Sequence, residues 1–343
     1  MPGRQRYSAG RGPGSRREGN TALGEGLEAG VSLKDASLAL TGVHTSPDLR
    51  VAVVTGGNRG IGLEICRQLA SSGVLVVLTA RDEGKGSRAV EELQRSGLPD
   101  VIFHQLDVAD RSSIARLAEF VKTKFGKLDI LVNNAAIGGT TIDPERLKEL
   151  QKQNPEEDVR TFVDGYLGSL QQNYELAKEC LDINFNGTRD VTDCLIPLLL
   201  LSKSGRVVNI TSQVAQLKFM SNEGVIKVLS DIDNLSEEKL DEVSSTFLAD
   251  FKDGNLAARG WLPVASAYAA SKALVNAHSR LLARRHPSLA VCCVNPGFVR
   301  TGMNYGMGLA SAAEGARPPV ALALRDEPGD SGLNFELFDP CEF

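Results

Sequence analysis

The chain of 343 residues is long enough for one large domain or two small ones. Its hydrophobic content of 42% and charged content of 24% are typical of a globular protein, and no apolar run approaches the length of a membrane span. The net charge of −5 argues against a nucleic-acid partner, and the six cysteines and four histidines have no spacing suited to zinc, so we expect no metal.

Residues 1–49 differ in composition from the rest of the chain. The first seventeen hold five arginines and no acid, and Tyr7 is the only aromatic residue before position 50. Such a segment buries too little surface to offset its ordering entropy, so we expect a disordered extension. A basic start leaves organelle targeting open. The segment is Gly-rich rather than Ser-rich and carries five acids further along, so a cytoplasmic location is favoured.

Short apolar runs alternate with helical stretches from residue 50 onward. The runs cover residues 51–54, 74–78, 101–103, 130–132, 206–210 and 289–294. Continuous Val/Ile/Leu runs are typical of strands buried on both faces of a parallel sheet. Between the first two runs, apolar residues recur at helical spacing up to Gly73, which stands where a helix cap belongs. The pattern predicts an α/β fold over residues 50–343, a single domain with a doubly wound parallel Rossmann sheet flanked by helices.

Two polar, helix-prone insertions interrupt this alternation, at about residues 140–178 and 213–262. Both follow the carboxyl ends of predicted strands, the edge where open α/β sheets bind their ligands. The insertions could lie on the surface without a role in the site, or they could form a lid or wall of a substrate pocket. Their position favours the second interpretation.

A glycine-rich loop follows the first predicted strand and opens a helix. Glycines at these positions allow a tight turn, close approach of a pyrophosphate to the backbone, and close contact between strand and helix. The strand before and the amphipathic helix after it supply the context that a dinucleotide site requires. The loop residues predicted to bind the cofactor are Gly56, Asn58, Arg59, Gly60, Ile61 and Gly62.

Arg81 stands near the end of the second predicted strand, where an NAD site usually has an acid. Together with Arg59 it could bind the extra 2′-phosphate of NADP(H) through charge-assisted hydrogen bonds. Asp82 follows directly, and two solvated surface arginines are the alternative interpretation. The arginines favour NADP(H) as the cofactor.

Tyr268 and Lys272 are four residues apart, and hence on the same face of a helix. Free tyrosine titrates near ~10, and a nearby ammonium group favours the phenolate. A tyrosine paired in this way can donate a proton to an alkoxide as a hydride reaches the carbonyl carbon.

With these motifs in this order, residues 50–343 resemble the short-chain dehydrogenase/reductase family. Beyond the glycine loop and the Tyr268–Lys272 pair, the resemblance implies further site residues, each in a matching motif. These are Asp107 beside the adenine, Asn134 after the fourth strand, Asn184 and Ser212 of the catalytic tetrad, and Pro296, Gly297, Val299 and Thr301 beside the nicotinamide. Ala136 departs from the family pattern, which usually has glycine there.

The chain most resembles the monomeric carbonyl reductase branch, which includes plant neomenthol, menthone and salutaridine reductases. Ser212 and Tyr268 are 56 positions apart, far more than in compact members of the family. In this branch the extra segment is a helical insertion before the catalytic tyrosine that covers the site and obstructs the usual oligomer interface. The resemblance therefore implies a monomer with no integral membrane association.

The resemblance also implies a role for each member of the tetrad. Tyr268 would be the acid in reduction and the base in oxidation, and Lys272 would lower its pKa and hold the nicotinamide ribose. Ser212 would donate a hydrogen bond to the substrate oxygen. Asn184 would position a water that links Lys272 to solvent.

The expected function is hydride transfer between NADP(H) and a carbonyl or secondary alcohol of a small hydrophobic metabolite, such as a terpenoid or alkaloid ketone. Reduction of a conjugated double bond is a second possibility, against which the presence of Tyr268 argues. A non-catalytic NADP(H)-binding sensor or partner-binding module is a third, and the complete tetrad argues against it.

Overall fold

The computed structural model describes residues 49–153, 158–325, 329 and 331–343. The predicted extension over residues 1–49 lies outside these residues, apart from Leu49, and stays a prediction.

The described residues form one α/β domain around a central sheet. Its strands, with a small hairpin made by β5 and β6, are β1 Val51–Val54, β2 Leu75–Ala80, β3 Val101–Gln105, β4 Ile130–Asn133, β5 Thr141–Ile142, β6 Leu170–Gln171, β7 Arg206–Ile210, β8 Ala290–Asn295, β9 Asn334–Glu336 and β10 Asp339–Cys341. In the described part of the chain the main sheet has eight strands in the order β10-β9-β8-β7-β4-β1-β2-β3. Only the edge pair β9–β10 is antiparallel. The predicted doubly wound parallel sheet is confirmed, with one antiparallel edge strand added.

Helices cover both faces of the sheet. They are α1 Gly60–Ser71, α2 Glu83–Arg95, α3 Arg111–Phe125, α4 Pro144–Leu150, α5 Val159–Leu167, α6 Tyr174–Leu181, α7 Thr188–Leu199, α8 Glu223–Ser230, α9 Glu237–Lys252, α10 Ser266–Arg285 and α11 Ala312–Leu324, with a π-helix, Asp182–Gly187, between α6 and α7. No helix in the described ranges is both long enough and apolar enough to cross a membrane.

Alternate residues of β1 enter opposite halves of the core, as the two-residue period of a strand dictates. Ala52 and Val54 pack with α1, α2 and α11, whereas Val51 and Val53 pack with α3, α7 and the end of α10. The sheet is therefore buried on both faces, which explains why the sequences of its parallel strands are continuous apolar runs.

The two predicted insertions pack in different places. The first consists of β5, α4, α5 and β6, and its apolar side chains form a separate cluster with the segment 298–307. We call the described residues of this insertion, 141–153 and 158–171, the lid. The second insertion includes α8 and α9, which pack against α6 and α10.

Candidate active site

A cleft of about 1350 Å³ runs along the carboxyl ends of the parallel strands. It crosses the sheet where β1 lies between β2 and β4, the point at which the strand order reverses and open α/β sheets bind their ligands. Most of the predicted site residues line it, namely Gly56, Asn58, Arg59, Gly60, Ile61, Arg81, Asp107, Asn134, Ser212, Tyr268, Lys272, Pro296, Gly297, Val299 and Thr301. The two that do not are Gly62 and Asn184.

The glycine loop is fastened to the loop after β4. The backbone N–H groups of Asn134 and Ala135 both donate to the Thr55 hydroxyl oxygen at 2.9 Å. The side-chain amide of Asn134 donates to the carbonyl oxygens of Thr55 at 2.9 Å and Gly56 at 3.1 Å. These hydrogen bonds occupy the Asn134 side chain and fix the floor of the cleft between β1 and β4.

Glycine is required at two points of this loop for different reasons. Gly60 has a φ of 56°, a left-handed conformation that side chains disfavour. A Cβ atom at Gly62 would lie 2.4 Å from the carbonyl oxygen of Gly56 and from the Asn134 amide nitrogen. Gly62 therefore serves the close contact between helix and loop rather than the cleft surface.

The N-terminus of α1 is free to bind an anion. Arg59 precedes the helix with an extended backbone, and no side chain caps the first turn. Gly60 and Ile61, whose N–H groups have no partner within the helix, line the cleft. A helix N-terminus next to a glycine cradle suits the pyrophosphate of a dinucleotide.

Arg59 and Arg81 both line the adjoining part of the cleft with exposed side chains. Asp82 is engaged elsewhere, because its carboxylate accepts a 2.8 Å hydrogen bond from the Lys85 N–H and caps α2. That hydrogen bond, together with the charges of Lys85 and Arg88, lowers the pKa of the Asp82 carboxyl. The acid that follows Arg81 is therefore ionised and caps α2, although it also lines the cleft beside Arg81.

Ser212, Tyr268 and Lys272 converge where β7 ends beside α10. The Lys272 side chain is only 3% exposed, and its ammonium donates a 2.7 Å hydrogen bond to the Ile210 carbonyl oxygen, two residues before Ser212. The Lys272 nitrogen lies 5.9 Å from the centre of the Tyr268 ring. The Tyr268 hydroxyl is hydrogen-bonded to the Ser212 side chain.

Burial shifts the pKa of both helix residues. It raises the pKa of Tyr268 to about 12, with smaller contributions from Cys180 and Tyr166, and the hydrogen bond to Ser212 opposes the rise. Burial lowers the pKa of Lys272 to about 8. Loss of solvent around the phenol dominates the pKa of Tyr268 in this structure, and the lowering of that pKa by Lys272 stays a prediction.

Asn184 lies in the π-helix and is fully buried. Its side-chain oxygen accepts a 2.9 Å hydrogen bond from the Ile137 N–H, and its amide donates to the Ile137 carbonyl at 2.9 Å and to Ser271 at 3.1 Å. The side chain thus holds the loop that follows β4 against α10, and it does not line the cleft. The predicted water contact of Asn184 stays a prediction.

Ala136 fits the cleft without strain. The non-glycine residues with positive φ in the described chain are Ala265, Tyr305 and Leu337. The alanine that departs from the family pattern therefore has an ordinary backbone conformation, which removes the reason to doubt the cofactor geometry there.

The lid supplies an apolar wall that sequence motifs did not identify. Five lid residues line the cleft, namely Val159, Val163, Tyr166, Leu167 and Leu170, and Phe298 and Leu309 of the segment after β8 line it as well. The general expectation that an insertion forms a pocket wall fits these residues, but no motif singled out individual positions.

The second insertion contributes only Gln213 and Val214 to the cleft. The expectation that the long segment before Tyr268 covers the site is therefore wrong for most of its length. The physical reason is that its apolar side chains, including Leu240 and Phe247, are buried against α6 and α10 instead.

Comparison with known proteins adds sequence relatives and a related structure. The family model described as short chain dehydrogenase matches residues 50–223. Salutaridine reductase of Papaver somniferum is 48% identical over 88% of this chain and 98% of its own length. Its solved structure covers 83% of this chain and 99% of that chain, with a TM-score of 0.80.

Two further relatives have names that describe their reactions. The (+)-neomenthol dehydrogenase of Arabidopsis thaliana is 50% identical over 86% of this chain and 98% of its own length. Carbonyl reductase [NADPH] 1 of Bos taurus is 38% identical over 80% of this chain and 90% of its own length.

Proposed function

The chain belongs to the short-chain dehydrogenase family, and we propose that it uses NADPH to reduce the carbonyl group of a small hydrophobic metabolite. The observation that carries the proposal is the convergence of Ser212, Tyr268 and Lys272 on one wall of the cleft. Proton donation to a carbonyl oxygen requires a positioned acid beside groups that stabilise the resulting charges. The hydrogen-bonded hydroxyls of Ser212 and Tyr268 and the buried amine of Lys272 meet this requirement.

The cofactor half of the cleft suits NADPH. The pyrophosphate would lie against the N-terminus of α1, and Arg59 and Arg81 would bind the 2′-phosphate. Asp107 would lie beside the adenine, and residues 296–301 beside the nicotinamide. NADPH supplies the hydride. The name of the bovine relative supports NADPH over NADH.

In the proposed reduction Tyr268 donates its proton to the substrate oxygen. With a pKa raised to about 12, its hydroxyl is protonated at neutral pH and is available as a donor. Ser212 donates a second hydrogen bond to the same oxygen and stabilises the negative charge that develops there. Lys272, anchored to Ile210, places a positive charge beside the tyrosine that has lost its proton and binds the nicotinamide ribose.

The substrate half of the cleft suits an apolar ring system. Val163, Leu167 and Leu170 of the lid face it, together with Phe298. Apolar walls with a few polar groups at one end are typical of sites that bind small hydrophobic molecules. The names of the plant relatives support a terpenoid or alkaloid ketone.

We propose a monomer in the cytoplasm. Helix α9 packs on α6 and α10, and its Glu237 and Asp241 form ion pairs with Arg285 and Arg189, each at 2.6 Å. The family resemblance implies that this insertion obstructs the usual oligomer interface. The packing of α9 over α6 and α10 supports that implication. All six cysteines are free, which supports a reducing compartment.

The test is oxidation of NADPH, and separately of NADH, by the purified protein with a panel of cyclic ketones, aldehydes and quinones. We expect turnover with NADPH in preference to NADH, and a loss of at least about a hundredfold in the Tyr268→Phe variant, since general acids contribute that much or more. Tight NADPH binding without turnover of any carbonyl would instead favour a sensor. Activity that survives in Tyr268→Phe would contradict the mechanism.

A further inference from the structure

Tyr166 of the lid is a second tyrosine that lines the cleft, in addition to Tyr268. It lies near the end of α5, and only 6% of the residue is exposed. Its ring packs against Phe298 with centroids 5.7 Å apart, and it belongs to the apolar cluster of the lid together with Phe162 and Met307. The ring position is therefore fixed by contacts from both the lid and the segment that follows β8.

The hydroxyl of Tyr166 has no hydrogen-bond partner among the residues that the structure describes, although the side chain is nearly buried. A tyrosine with a buried ring usually keeps its hydroxyl hydrogen-bonded, either to the protein or to water at an accessible surface. Tyr166 lines the cleft, and its oxygen is not among the fully enclosed polar atoms. The unpaired hydroxyl therefore opens toward the space that a substrate would fill.

The hydroxyl is a hydrogen-bond donor at any working pH. Burial and the neighbouring Tyr305 raise the pKa of Tyr166 to about 12. The phenol also contributes to the raised pKa of Tyr268, so the two groups lie within electrostatic range of each other. The reacting oxygen already has donors in Ser212 and Tyr268, which leaves the Tyr166 hydroxyl for another group.

We propose that Tyr166 is a specificity-determining residue whose hydroxyl donates a hydrogen bond to a second oxygen of the substrate, away from the reacting carbonyl. The inference rests on the proposed reductase function. It narrows the substrate class to hydrophobic ketones that carry an additional oxygen acceptor, such as an ether, hydroxyl or second carbonyl group. A site built to pair a polar group discriminates against analogues that lack it, because the protein group is then left unpaired.

The experiment compares methoxycyclohexanones with ethylcyclohexanones substituted at the same ring position, which have nearly the same size and differ by the ether oxygen. The wild-type protein and Tyr166→Phe are assayed with NADPH on both series. We expect the wild type to prefer the methoxy series at the ring position that reaches Tyr166. Tyr166→Phe should lose about three- to tenfold in kcat/KM on those ketones through a higher KM, and change little on the ethyl series.

Tyr305→Phe is the matched control, because Tyr305 packs in the same lid cluster but does not line the cleft. It should leave both series unchanged. An equal loss on both series would mean that the hydroxyl serves only the lid, and a weaker NADPH affinity in Tyr166→Phe would mean that it contacts the cofactor. Either result overturns the inference while the reductase function stands. A wild-type protein that turns over no ketone overturns both.

Discussion

At the scale of single residues, burial acts in opposite directions on the two side chains of α10 that enter the cleft. Tyr268 holds its proton more tightly, and Lys272 holds its proton less tightly, than either would in water. Reduction makes use of both pKa shifts. The proton donor must be protonated, and a buried ammonium is strongly stabilised by a neighbouring negative charge. The same burial means that the charged form of Lys272 lowers the stability of the folded protein.

The stability of the protein should therefore rise with pH relative to a Lys272→Met variant. The pKa of Lys272 is about 8 in the folded protein and 10.5 in an unfolded chain. Between these values the unfolded chain binds more protons, so the free energy of unfolding increases with pH. From about pH 7.5 to about pH 10, we expect the free energy of unfolding of the wild type to gain about 2 kcal/mol on the variant, measured by urea denaturation.

Lys178→Met is the control, because the exposed Lys178 is paired with Asp182 at 2.6 Å and its pKa is raised rather than lowered. The free energy of unfolding of the wild type should not increase with pH relative to that of Lys178→Met. If the difference in free energy of unfolding between the wild type and Lys272→Met does not change with pH, the buried ammonium carries no desolvation cost.

Most of the residues predicted from ordered motifs line the cleft, because the backbone turn, the helix N-terminus and the Tyr268–Lys272 spacing each require particular residues. Tyr166 could not be predicted in this way. Its place at the cleft depends on the packing of the lid against Phe298, a contact across more than a hundred residues that no local pattern encodes. The engagement of Asn184 with Ile137 likewise depends on tertiary contact.

At the scale of elements, the two insertions differ in how they are attached. The lid packs through its own small cluster, with Phe162 and Tyr166 of α5 meeting Met307. The second insertion shares a large cluster with α6 and α10, in which Phe247 contacts Trp261 at a centroid distance of 5.0 Å. Small separate clusters open at lower free energy than elements of the main core.

Phe162→Ala should therefore loosen the lid without lowering global stability much. A Phe→Ala change in a core lowers the free energy of unfolding by about 3–5 kcal/mol. In the lid, the loss would lower the free energy of opening the lid alone rather than that of unfolding the whole protein. We expect faster amide hydrogen exchange over the described lid residues and a raised KM for ketones, with the Kd for NADPH unchanged. The contrast is Phe247→Ala in the second insertion, which should lower the Tm on the order of 10 °C and leave KM near its original value.

If both variants lower the Tm equally, the lid is part of the cooperative core and the distinction fails.

The pattern of apolar runs predicted strands β1 to β4, β7 and β8 to within two residues at each end. Strands β9 and β10 were missed, because Asn334–Glu336 contains one apolar residue and Asp339–Cys341 contains a proline. These short strands are defined by pairing with β8 and with each other rather than by their own composition. Sequence periodicity alone does not carry that information.

At the scale of the whole molecule, α9 closes a face that α6 and α10 would otherwise present to solvent. Leu240 and Phe247 of α9 are fully buried there, and two ion pairs near the N-terminus of the helix connect it to α7 and α10. An apolar helix pair of this size, if uncovered, would be a surface for self-association.

Sedimentation should accordingly give the mass of one chain over a hundredfold range of concentration. A deletion of residues 222–259 can be closed with a short Gly-Ser linker, because the Ser221 N–H donates to the Gly260 carbonyl oxygen at 2.8 Å. We expect this variant to self-associate at concentrations where the full chain does not. A wild-type dimer would contradict the role given to α9.

The separate attachment of the lid has a consequence for how such an enzyme diversifies. In the proposed function the groups for hydride transfer lie at the sheet edge and on α10, whereas apolar walls of the cleft come from the lid and the segment after β8. Mutations in the lid are thus free to alter which molecule is accepted while the reaction itself is inherited unchanged. We therefore expect that exchange of the lid between members of the family changes the preferred substrate and leaves the reaction unchanged.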